Sequence, residues 1–371
     1  MTAAPAPFRL PKRVLLGPGP SEVPTAVSLA LAEPPLGHLD PAMLAIMDET
    51  AALLRRAFVT TNELTFPVSG TGTAGIETML ANVVEAGDAM VVAVNGYFGA
   101  RLADIAKRVG ARVHVVEGAW GAAGDVDAIL AAQRSHGAKL VGVVHAETST
   151  GVRTDLAALG RELRARDALL VVDAVTSLGA IELRVDDWMI DACSSCSQKG
   201  LGAPSGLAPL TIGPRAWAKI KARKTTPATF YLDLALLQSY VGPDHKYHHT
   251  ASSPLLNALR TALHLVFEEG LDGRFARHVR VHGLARAGLE ARGFTYVPAR
   301  DVCLPHLHCV RPRAGVDEKK LRADLLRNHS IEIGGGLGPL AGQVVRIGLM
   351  GASATETNVT LLLAALDDCI R

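Results

Sequence analysis

A glycine-rich segment at residues 69–75 precedes the apolar helical pattern of residues 76–84. Glycines allow a backbone to approach an anion closely, and the first turn of a helix offers free N–H groups at the positive end of its dipole. Thr71 and Thr73 add two hydroxyl donors. Because the segment lacks the motifs of a nucleotide P-loop and of a dinucleotide fold, it indicates either an anion site of another kind or an ordinary turn.

Asp173 ends a wholly apolar run at residues 168–172. A carboxylate is costly to bury at such a position unless it is paired. One interpretation is an exposed acid or a helix cap. The other is an acid that pairs with the ring nitrogen of a bound pyridine, keeps that nitrogen protonated and so makes the ring an electron sink.

Lys199 follows a second buried-strand pattern and lies in a turn rich in glycine and proline. Most lysines in turns are solvated, whereas a partly desolvated lysine at the edge of a cleft is suited to imine chemistry. The order of the three features is more informative than any one of them. An anion loop, a strand-end acid and a lysine match the phosphate, the ring nitrogen and the aldehyde carbon of pyridoxal phosphate.

The elements that position these residues alternate between short apolar runs and amphipathic helical patterns from about residue 68 to 215. This alternation predicts a mostly parallel sheet covered by helices on both faces. In such sheets, ligands bind beyond the carboxyl ends of the strands. The predicted strands are residues 90–94, 113–116, 140–145, 168–173 and 207–212. The helices predicted between them are residues 98–109, 126–135 and 156–166.

Beyond about residue 270 the pattern changes to helices around shorter strands, which predicts a smaller α+β domain. An apolar-periodic stretch at residues 254–269 connects the two parts. We therefore predict an α/β protein with an N-terminal arm (1–16), a large domain (17–269) and a small C-terminal domain (270–371). The predicted helices of the small domain are residues 273–292, 317–328 and 355–370, and its strands are residues 306–311 and 344–349.

Arg346 lies within the last of these predicted strands. The apolar residues Val345, Ile347 and Leu349 alternate to the opposite face. A guanidinium on an otherwise buried strand requires a bidentate carboxylate partner, which is either an acid of the chain or a bound ligand. The glycine-rich segment 334–338 nearby favours the ligand, because it is typical of a loop that approaches one closely.

The composition argues against several classes of partner. A net charge of +2 gives no indication of binding to nucleic acid or to an acidic membrane. No apolar run approaches the ~20 residues that cross a bilayer, and the first residues lack the hydrophobic core of a secretory signal. We therefore expect a cytoplasmic protein with neither a nucleic-acid nor a membrane partner.

Neither a disulfide framework nor a metal site is expected. The five cysteines are few and odd in number. Cys193 and Cys196 are predicted to point to opposite faces of a strand, so they do not form a shared site. The histidines at 245, 248, 249, 306 and 308 have no carboxylate or thiol at ligand spacing. We expect buried, reduced thiols and histidines that lie in the core or at an interface.

Segments spread in order over nearly the whole chain resemble those of class V aminotransferases, close to the alanine–glyoxylate and serine–pyruvate aminotransferases. The resemblance implies fold type I, pyridoxal 5'-phosphate as cofactor, and transfer of an amino group from alanine or serine to glyoxylate or pyruvate in two half-reactions. The segments that carry it are residues 17–20, 69–75, 95–99, 147–152, 173–179, 197–200, 247–250, 335–338 and 346–349.

Carried over by position, the resemblance implies a role for several residues around the cofactor ring. Lys199 would hold the cofactor as a Schiff base and then move the proton, and Asp173 would pair with the ring nitrogen. Phe98, where relatives often have Trp, would stack on one face of the ring, and Val175 would pack on the other. Thr148 would donate a hydrogen bond near the ring oxygen.

The resemblance also implies how the phosphate and the substrate are held. Tyr247 and Thr250 would reach the phosphate of the partner subunit, which implies a homodimer with shared active sites. Arg346 would bind the substrate carboxylate. The residues expected to hold the phosphate within one chain are Thr71, Gly72, Thr73 and Gln198, although relatives can have His at the position of Thr73.

Other functions remain to be separated from this one. An aminotransferase for aminoethylphosphonate or ureidoglycine would differ in the pocket around residues 37–38 and in the loop before Arg346. A cysteine desulfurase needs a reactive Cys on a loop near the end of the chain, and residues 334–342 contain none. The presence of Lys199, Asp173 and Arg346 disfavours a non-catalytic binding protein, and the missing dinucleotide motif disfavours a nicotinamide dehydrogenase.

Overall fold

The computed structural model describes residues 10–370. Its strands are β1 (Val14–Leu15), β2 (Leu64–Ser69), β3 (Ala89–Val94), β4 (Arg112–Glu117), β5 (Leu140–Val144), β6 (Ala146–Glu147), β7 (Val152–Arg153), β8 (Leu169–Asp173), β9 (Ala192–Ser194), β10 (Leu207–Ile212), β11 (Thr295–Tyr296), β12 (Leu307–Arg311), β13 (Ile331–Glu332), β14 (Gly334–Gly335) and β15 (Val345–Gly348). Its α-helices are α1 (Thr25–Leu31), α2 (Pro41–Phe58), α3 (Gly72–Val83), α4 (Tyr97–Arg108), α5 (Val126–Ser135), α6 (Leu156–Ala165), α7 (Pro214–Lys221), α8 (Leu234–Val241), α9 (Ser253–Glu269), α10 (Leu271–Ala291), α11 (Glu318–His329) and α12 (Glu356–Cys369).

The large sheet has seven strands in the order β2-β10-β9-β8-β5-β3-β4. The five strands from β9 to β4 run parallel, and β10 is antiparallel to both of its neighbours. Helices cover both faces, so alternate residues of β8 enter different cores: Leu170 and Val172 join one cluster, Leu169 and Val171 the other. Burial on both faces explains why the strand is a continuous apolar run rather than an alternating one.

The predicted α/β architecture with a mostly parallel sheet is confirmed. Strand β10 and helix α5 have the predicted bounds. The sequence patterns did not anticipate β2, α1 or α2. Strand β2 contains Pro67, which disfavours a central strand, but β2 lies at the edge of the sheet, where a residue without an amide proton is tolerated.

A second sheet, in the order β11-β12-β15-β14, packs against α10, α11 and α12 around its own apolar core. Strand β1 pairs in parallel with β13, and Leu16 is buried in this core. The end of the predicted N-terminal arm therefore packs with the C-terminal part of the chain, while residues 1–9 of that arm lie outside the described residues. The division at residues 17–269 and 270–371 stays a prediction.

No helix within residues 10–370 combines the length and the apolar character that crossing a membrane requires.

Candidate active site

A small cavity lies at the carboxyl ends of β5 and β8, where the chain turns towards the helices. It contains five residues that the sequence predicted for one site, brought together from four separate segments. Val144, Ala146 and Thr176 complete the lining and were not predicted. The five predicted residues of the cavity are Phe98, Thr148, Asp173, Val175 and Lys199.

Lys199 is buried, with 9% of its surface exposed. Its Nζ donates to the hydroxyl of Thr176 at 3.2 Å and lies 5.8 Å from the centre of the Phe98 ring. Burial lowers the pKa of the Lys199 ammonium, and the cations Arg346 and Arg101 act in the same direction. A lowered pKa favours the neutral amine, which is the form that attacks an aldehyde or removes a proton.

Gly19 packs directly on the Lys199 side chain. A Cβ atom at Gly19 would lie 3.1 Å from Lys199 Cε, and the glycine has φ of +118°, a conformation that other residues rarely adopt. The segment near the start of the chain thereby shapes one wall beside the lysine.

Asp173 ends β8 and is buried. Oδ1 accepts a hydrogen bond from the Val175 amide at 2.9 Å, and no described residue donates to Oδ2. Burial raises the pKa of Asp173 to about 6, although the Val175 hydrogen bond and the cation Arg101 oppose this shift. A buried carboxylate oxygen with a free lone pair is suited to a cationic N–H donor such as a protonated ring nitrogen.

The predicted anion loop leads into α3. Thr71 is the N-cap residue of this helix, Gly72 is its first residue, and no side chain caps it. The N–H groups of the first turn are therefore available to an anion. Thr73 lies in that first turn, and the Oε1 atom of Gln198 is buried without a hydrogen-bond partner in the described chain.

Glu147, to which the sequence assigned no role, organises two sides of the cavity. Its buried carboxylate accepts hydrogen bonds from the amides of Phe98 and Gly99, both at 3.0 Å. The other oxygen accepts from the Ser149 amide at 3.0 Å and from its hydroxyl at 2.6 Å. Gly96 permits this approach, because a Cβ there would lie 2.4 Å from Glu147 Cγ.

Arg346 is buried on β15, with 7% of its surface exposed. It donates from Nε to the Gly335 carbonyl at 2.7 Å and from Nη1 to the Thr148 carbonyl at 3.3 Å. No carboxylate within residues 10–370 forms an ion pair with it, so the alternative of a structural ion pair is not observed. Thr148 Oγ1, also buried, has no partner.

Arg101 is a second cation near the cavity that the sequence did not indicate. Its guanidinium lies 4.6 Å from the centre of the Phe98 ring, a cation–π contact. It forms no hydrogen bond or ion pair with the residues from 10 to 370. The sequence could have indicated Arg101, because it lies three residues after Phe98 and therefore on the same face of α4.

Tyr247 and Thr250 do not line the cavity of their own chain. Both are exposed, Tyr247 by 60%. His38 contacts the Tyr247 ring, with centres 4.9 Å apart, so residues 37–38 lie at this exposed surface.

The two histidines between Tyr247 and Thr250 form a hydrogen-bonded chain that ends at Ser69, the first residue of the anion loop. His248 Nε2 lies 3.2 Å from the Phe230 carbonyl oxygen, which only accepts, so Nε2 carries the proton. With neutral rings, His248 Nδ1 then accepts from His249 Nδ1 at 2.9 Å, and His249 Nε2 accepts from the Ser69 hydroxyl at 2.7 Å. Burial and the neighbouring His248 lower the pKa of His249 to about 4, which keeps its ring neutral.

These groups fit pyridoxal phosphate. The free N–H groups at the start of α3 suit a phosphate, and the free Asp173 oxygen suits the ring nitrogen. The unpaired Thr148 hydroxyl suits a ring oxygen, and Lys199 is an amine of lowered pKa.

Known proteins resemble this chain along nearly its whole length. Residues 29–362 match the family model described as Aminotransferase class-V. The (S)-ureidoglycine–glyoxylate transaminase of Bacillus subtilis (strain 168) is 39% identical over 96% of this chain and 90% of its own. The alanine–glyoxylate aminotransferase of Drosophila melanogaster is 38% identical over 98% and 94%. The crystal structure of an alanine–glyoxylate aminotransferase from Nostoc sp. has a TM-score of 0.98 and 44% identity, covering 99% of this chain and 98% of that one.

Proposed function

The chain belongs to the class V aminotransferase family and is a pyridoxal-phosphate-dependent aminotransferase of fold type I, and from this premise we propose that it transfers the amino group of alanine to glyoxylate. The observation that carries the substrate class is Arg346, a buried guanidinium without a carboxylate partner in residues 10–370. Both substrates have one carboxylate, and a guanidinium binds such a group through two parallel hydrogen bonds. Serine as donor and pyruvate as acceptor belong to the same small-substrate class.

In this proposal, Lys199, Asp173 and Arg346 each have a separate role in the reaction. Pyridoxal phosphate, when bound, supplies an electron sink for the charge that develops at the substrate Cα. Lys199, as a neutral amine, removes the proton from Cα and returns it at the carbon that carried the aldehyde. Asp173 holds a proton on the ring nitrogen, and Arg346 fixes the substrate carboxylate so that the Cα proton faces the lysine.

The remaining predicted residues orient the cofactor in this proposal. Phe98 would stack on one face of the ring, Val175 would pack on the other, and the Thr148 hydroxyl would donate to the ring oxygen. The free first turn of α3 supports a phosphate site there. The proposed phosphate ligands within one chain are Thr71, Gly72, Thr73 and Gln198.

We further propose a homodimer in which Tyr247 and Thr250 serve the phosphate site of the partner. Their exposure supports this, because neither lines the cavity of its own chain. Large apolar side chains are also exposed near residues 29–39 and 230–231, which contact this segment through the His38–Tyr247 and Phe230–His248 ring pairs, and a partner would cover them. They include Leu29, Leu36, Leu39, Phe230 and Tyr231.

The cytoplasm is the proposed compartment. The five cysteines are free thiols, and Cys193, Cys196 and Cys309 are buried. Burial raises the pKa of the Cys196 thiol to about 11, so it remains protonated and unreactive at neutral pH. Free thiols are typical of proteins in reducing compartments.

Ureidoglycine is the alternative donor, supported by the 39% identity to the Bacillus subtilis enzyme named for it. Absorbance spectra of the purified holoenzyme separate the two. If alanine is the donor, the cofactor band disappears with L-alanine and returns after glyoxylate is added. A band that is unmoved by alanine or serine but lost with ureidoglycine would select the alternative.

A Lys199→Arg variant is the control for these spectra, because it keeps the positive charge but cannot form the same covalent link. We expect it to bind the cofactor without the exchange. A wild-type protein that shows no cofactor band, even after pyridoxal phosphate is added, would contradict the whole assignment.

A further inference from the structure

A second cavity lies between α10 and the hairpin formed by β6 and β7. The hairpin is tied to the segment before β12 by backbone hydrogen bonds, from Arg153 to the Val302 carbonyl at 2.8 Å and from Leu304 to the Gly151 carbonyl at 2.9 Å. The cavity therefore spans the junction between the large-sheet part of the chain and the C-terminal part. It shares no lining residue with the cavity around Lys199.

The charge in this second cavity is unbalanced. Three arginines line it, Arg153, Arg286 and Arg300, with Glu290 as the only carboxylate of the lining. Glu290 is shared between two of them: Arg286 Nε donates to it at 2.8 Å, and Arg300 Nη2 lies 3.7 Å away. Arg153 has no hydrogen-bond or ion-pair partner for its side chain within residues 10–370. The lining thus carries more positive charge than its single acid neutralises.

Two buried polar atoms at the cavity have no hydrogen-bond partner within residues 10–370. The guanidinium of Arg286 lies 4.1 Å from the centre of the Tyr296 ring, and its Nη1 atom has no hydrogen-bond partner. His282 Nδ1 is also buried without a hydrogen-bond partner. The His282 ring stacks on the His308 ring, with the ring centres 4.8 Å apart. A buried polar group without a partner is destabilising, so a hydrogen-bonding ligand at this position would be stabilising.

Burial and the nearby cations together set the protonation state of His282. Burial, followed by Arg286 and Arg300, lowers the pKa of His282 to about 4, so its ring is neutral at physiological pH. A neutral imidazole still offers one N–H to an acceptor. The positive charge at this site is therefore that of the arginines, and it persists over the whole physiological range of pH.

We propose that this cavity is a binding site for a small dianion of the phosphate or dicarboxylate class, distinct from the site at Lys199. Guanidinium groups bind both kinds of anion through paired hydrogen bonds. A dianion held by Arg153 on one side and by Arg286 and Arg300 on the other joins the hairpin to the C-terminal part of the chain. The turn of this hairpin carries Thr148, whose carbonyl accepts from Arg346.

The test is calorimetric titration of the holoenzyme at constant ionic strength, with inorganic phosphate in one arm and malonate in the other. Because the cofactor already occupies the other phosphate site, we expect one saturable site per chain for at least one of the anions. The cofactor absorbance is recorded throughout, since an anion bound at Arg346 changes it and an anion at the second cavity does not. The arm that saturates identifies the source of the dianion.

The variant Arg153→Gln/Arg300→Gln should weaken this binding at least tenfold. Both side chains are exposed, Arg300 by 77%, so folding should be unaffected, and Arg300→Gln alone gives a second readout. Arg280→Gln is the control for the single variant Arg300→Gln: it also removes one positive charge, is 59% exposed and is paired with Glu356 away from the cavity. Failure of both anions to saturate, or equal weakening by Arg280→Gln, would overturn the proposal.

Discussion

The Phe98 amide donates a hydrogen bond of 3.0 Å to the carboxylate of Glu147. This contact joins the start of α4 to the β6–β7 hairpin, which lies about fifty residues further along the chain. Since α4 has no cap from a residue of its own N-terminus, the Glu147 charge occupies the place where a helix dipole stabilises an anion. Glu147, which does not line the cavity, thus fixes the position of the Phe98 ring that is proposed to stack on the cofactor.

Replacing Glu147 by Gln should lower cofactor affinity. Gln has the same size as Glu, but only one of its two terminal atoms is an acceptor oxygen. The amides of Phe98 and Gly99 bond one oxygen of Glu147 and the Ser149 amide bonds the other, so the NH₂ group of Gln would face an amide donor on one side. A hydrogen bond to a charged group contributes about 1.5–3 kcal/mol, so we expect the Kd for pyridoxal phosphate to rise roughly tenfold or more. Fluorescence titration of the apoenzyme measures this change, and the near-ultraviolet circular dichroism of the bound cofactor reports the displaced ring.

Asp155→Asn is the matched control for Glu147→Gln. Asp155 also caps a helix, α6, by accepting from the Ala157 amide at 2.9 Å, but it does not line the Lys199 cavity. We expect Asp155→Asn to lower the melting temperature while leaving cofactor affinity and circular dichroism unchanged. If both variants change the cofactor signals equally, Glu147 acts only through general stability.

Arg346→Lys should separate substrate binding from cofactor binding. Lysine keeps the charge but loses the paired donors that match a carboxylate. We expect KM for alanine to rise about 10- to 100-fold, the equivalent of roughly 1.4–2.8 kcal/mol, with cofactor affinity unchanged. Steady-state kinetics in both half-reactions provide the measurement.

Arg322→Lys is the control for that experiment. Arg322 lies against Gly335, as Arg346 does, but it is paired with Glu318 at 2.7 Å. Its replacement should leave KM nearly unchanged. An equal rise in KM for both variants would show that the glycine-rich segment, rather than the Arg346 guanidinium, controls substrate binding.

Asp173→Asn should stabilise the apoenzyme at neutral pH. The pKa of Asp173 in the folded apoenzyme is raised from 3.8 to about 6. Between these values the folded state holds a proton that the unfolded state has lost. The free energy of unfolding therefore falls as pH rises through this window, by up to about 3 kcal/mol. Urea unfolding at pH 4 and at pH 7.5 should show the variant more stable only at the higher pH.

Asp191→Asn gives the opposite expectation and serves as the contrast. Asp191 is also a buried acid, but it pairs with Arg215 at 3.1 Å and accepts from the Leu170 amide at 2.9 Å. Burial also raises the pKa of Asp191, but its replacement by Asn leaves the guanidinium of Arg215 without its carboxylate partner, so we expect Asp191→Asn to destabilise the apoenzyme at neutral pH. If Asp173→Asn also destabilises at pH 7.5, then Asp173 has a partner in the apoenzyme and the proposed role in holding a ring proton loses its support.

Ser69→Ala should affect cofactor binding less than Thr73→Val does. The Ser69 hydroxyl proton is directed to His249 by the orientation of the two histidine rings, so Ser69 has no proton left to donate to a phosphate. We expect Thr73→Val to raise the Kd for pyridoxal phosphate about tenfold and Ser69→Ala by less than about threefold. A larger effect from Ser69→Ala would require the opposite orientation of the histidines.

The sequence patterns predicted the elements whose structure depends on residues close together in the chain. Helix α5 begins after Asp125, which caps it, and its period of apolar residues is regular. Strand β15 alternates as expected, with Val345 and Ile347 in the core and Arg346 on the other face. Asp173 and Lys199 were located because each follows a buried-strand pattern, whereas Phe98, Thr148 and Val175 were located by the family resemblance.

Contacts between distant segments were not accessible in this way. Glu147 accepts a hydrogen bond from the backbone amide of Phe98. Every residue except proline has such an amide, so the residue type at position 98 does not indicate this contact. The same applies to the link between Ser69 and His249, which are separated by 180 residues. Strand β2 was not predicted, and its place at the sheet edge, where Pro67 is tolerated, is a property of the whole topology.

The pairing of β1 with β13 has a consequence for how the chain is made. Residues 14–16 leave the ribosome long before their partner strand, Ile331–Glu332. A contact of such high sequence separation forms late and slowly, so the C-terminal core, which includes Leu16, closes only after this strand has been synthesised. A fragment of residues 270–371 expressed alone would present β13 as an open edge, and we expect it to aggregate unless a peptide of residues 10–20 is supplied.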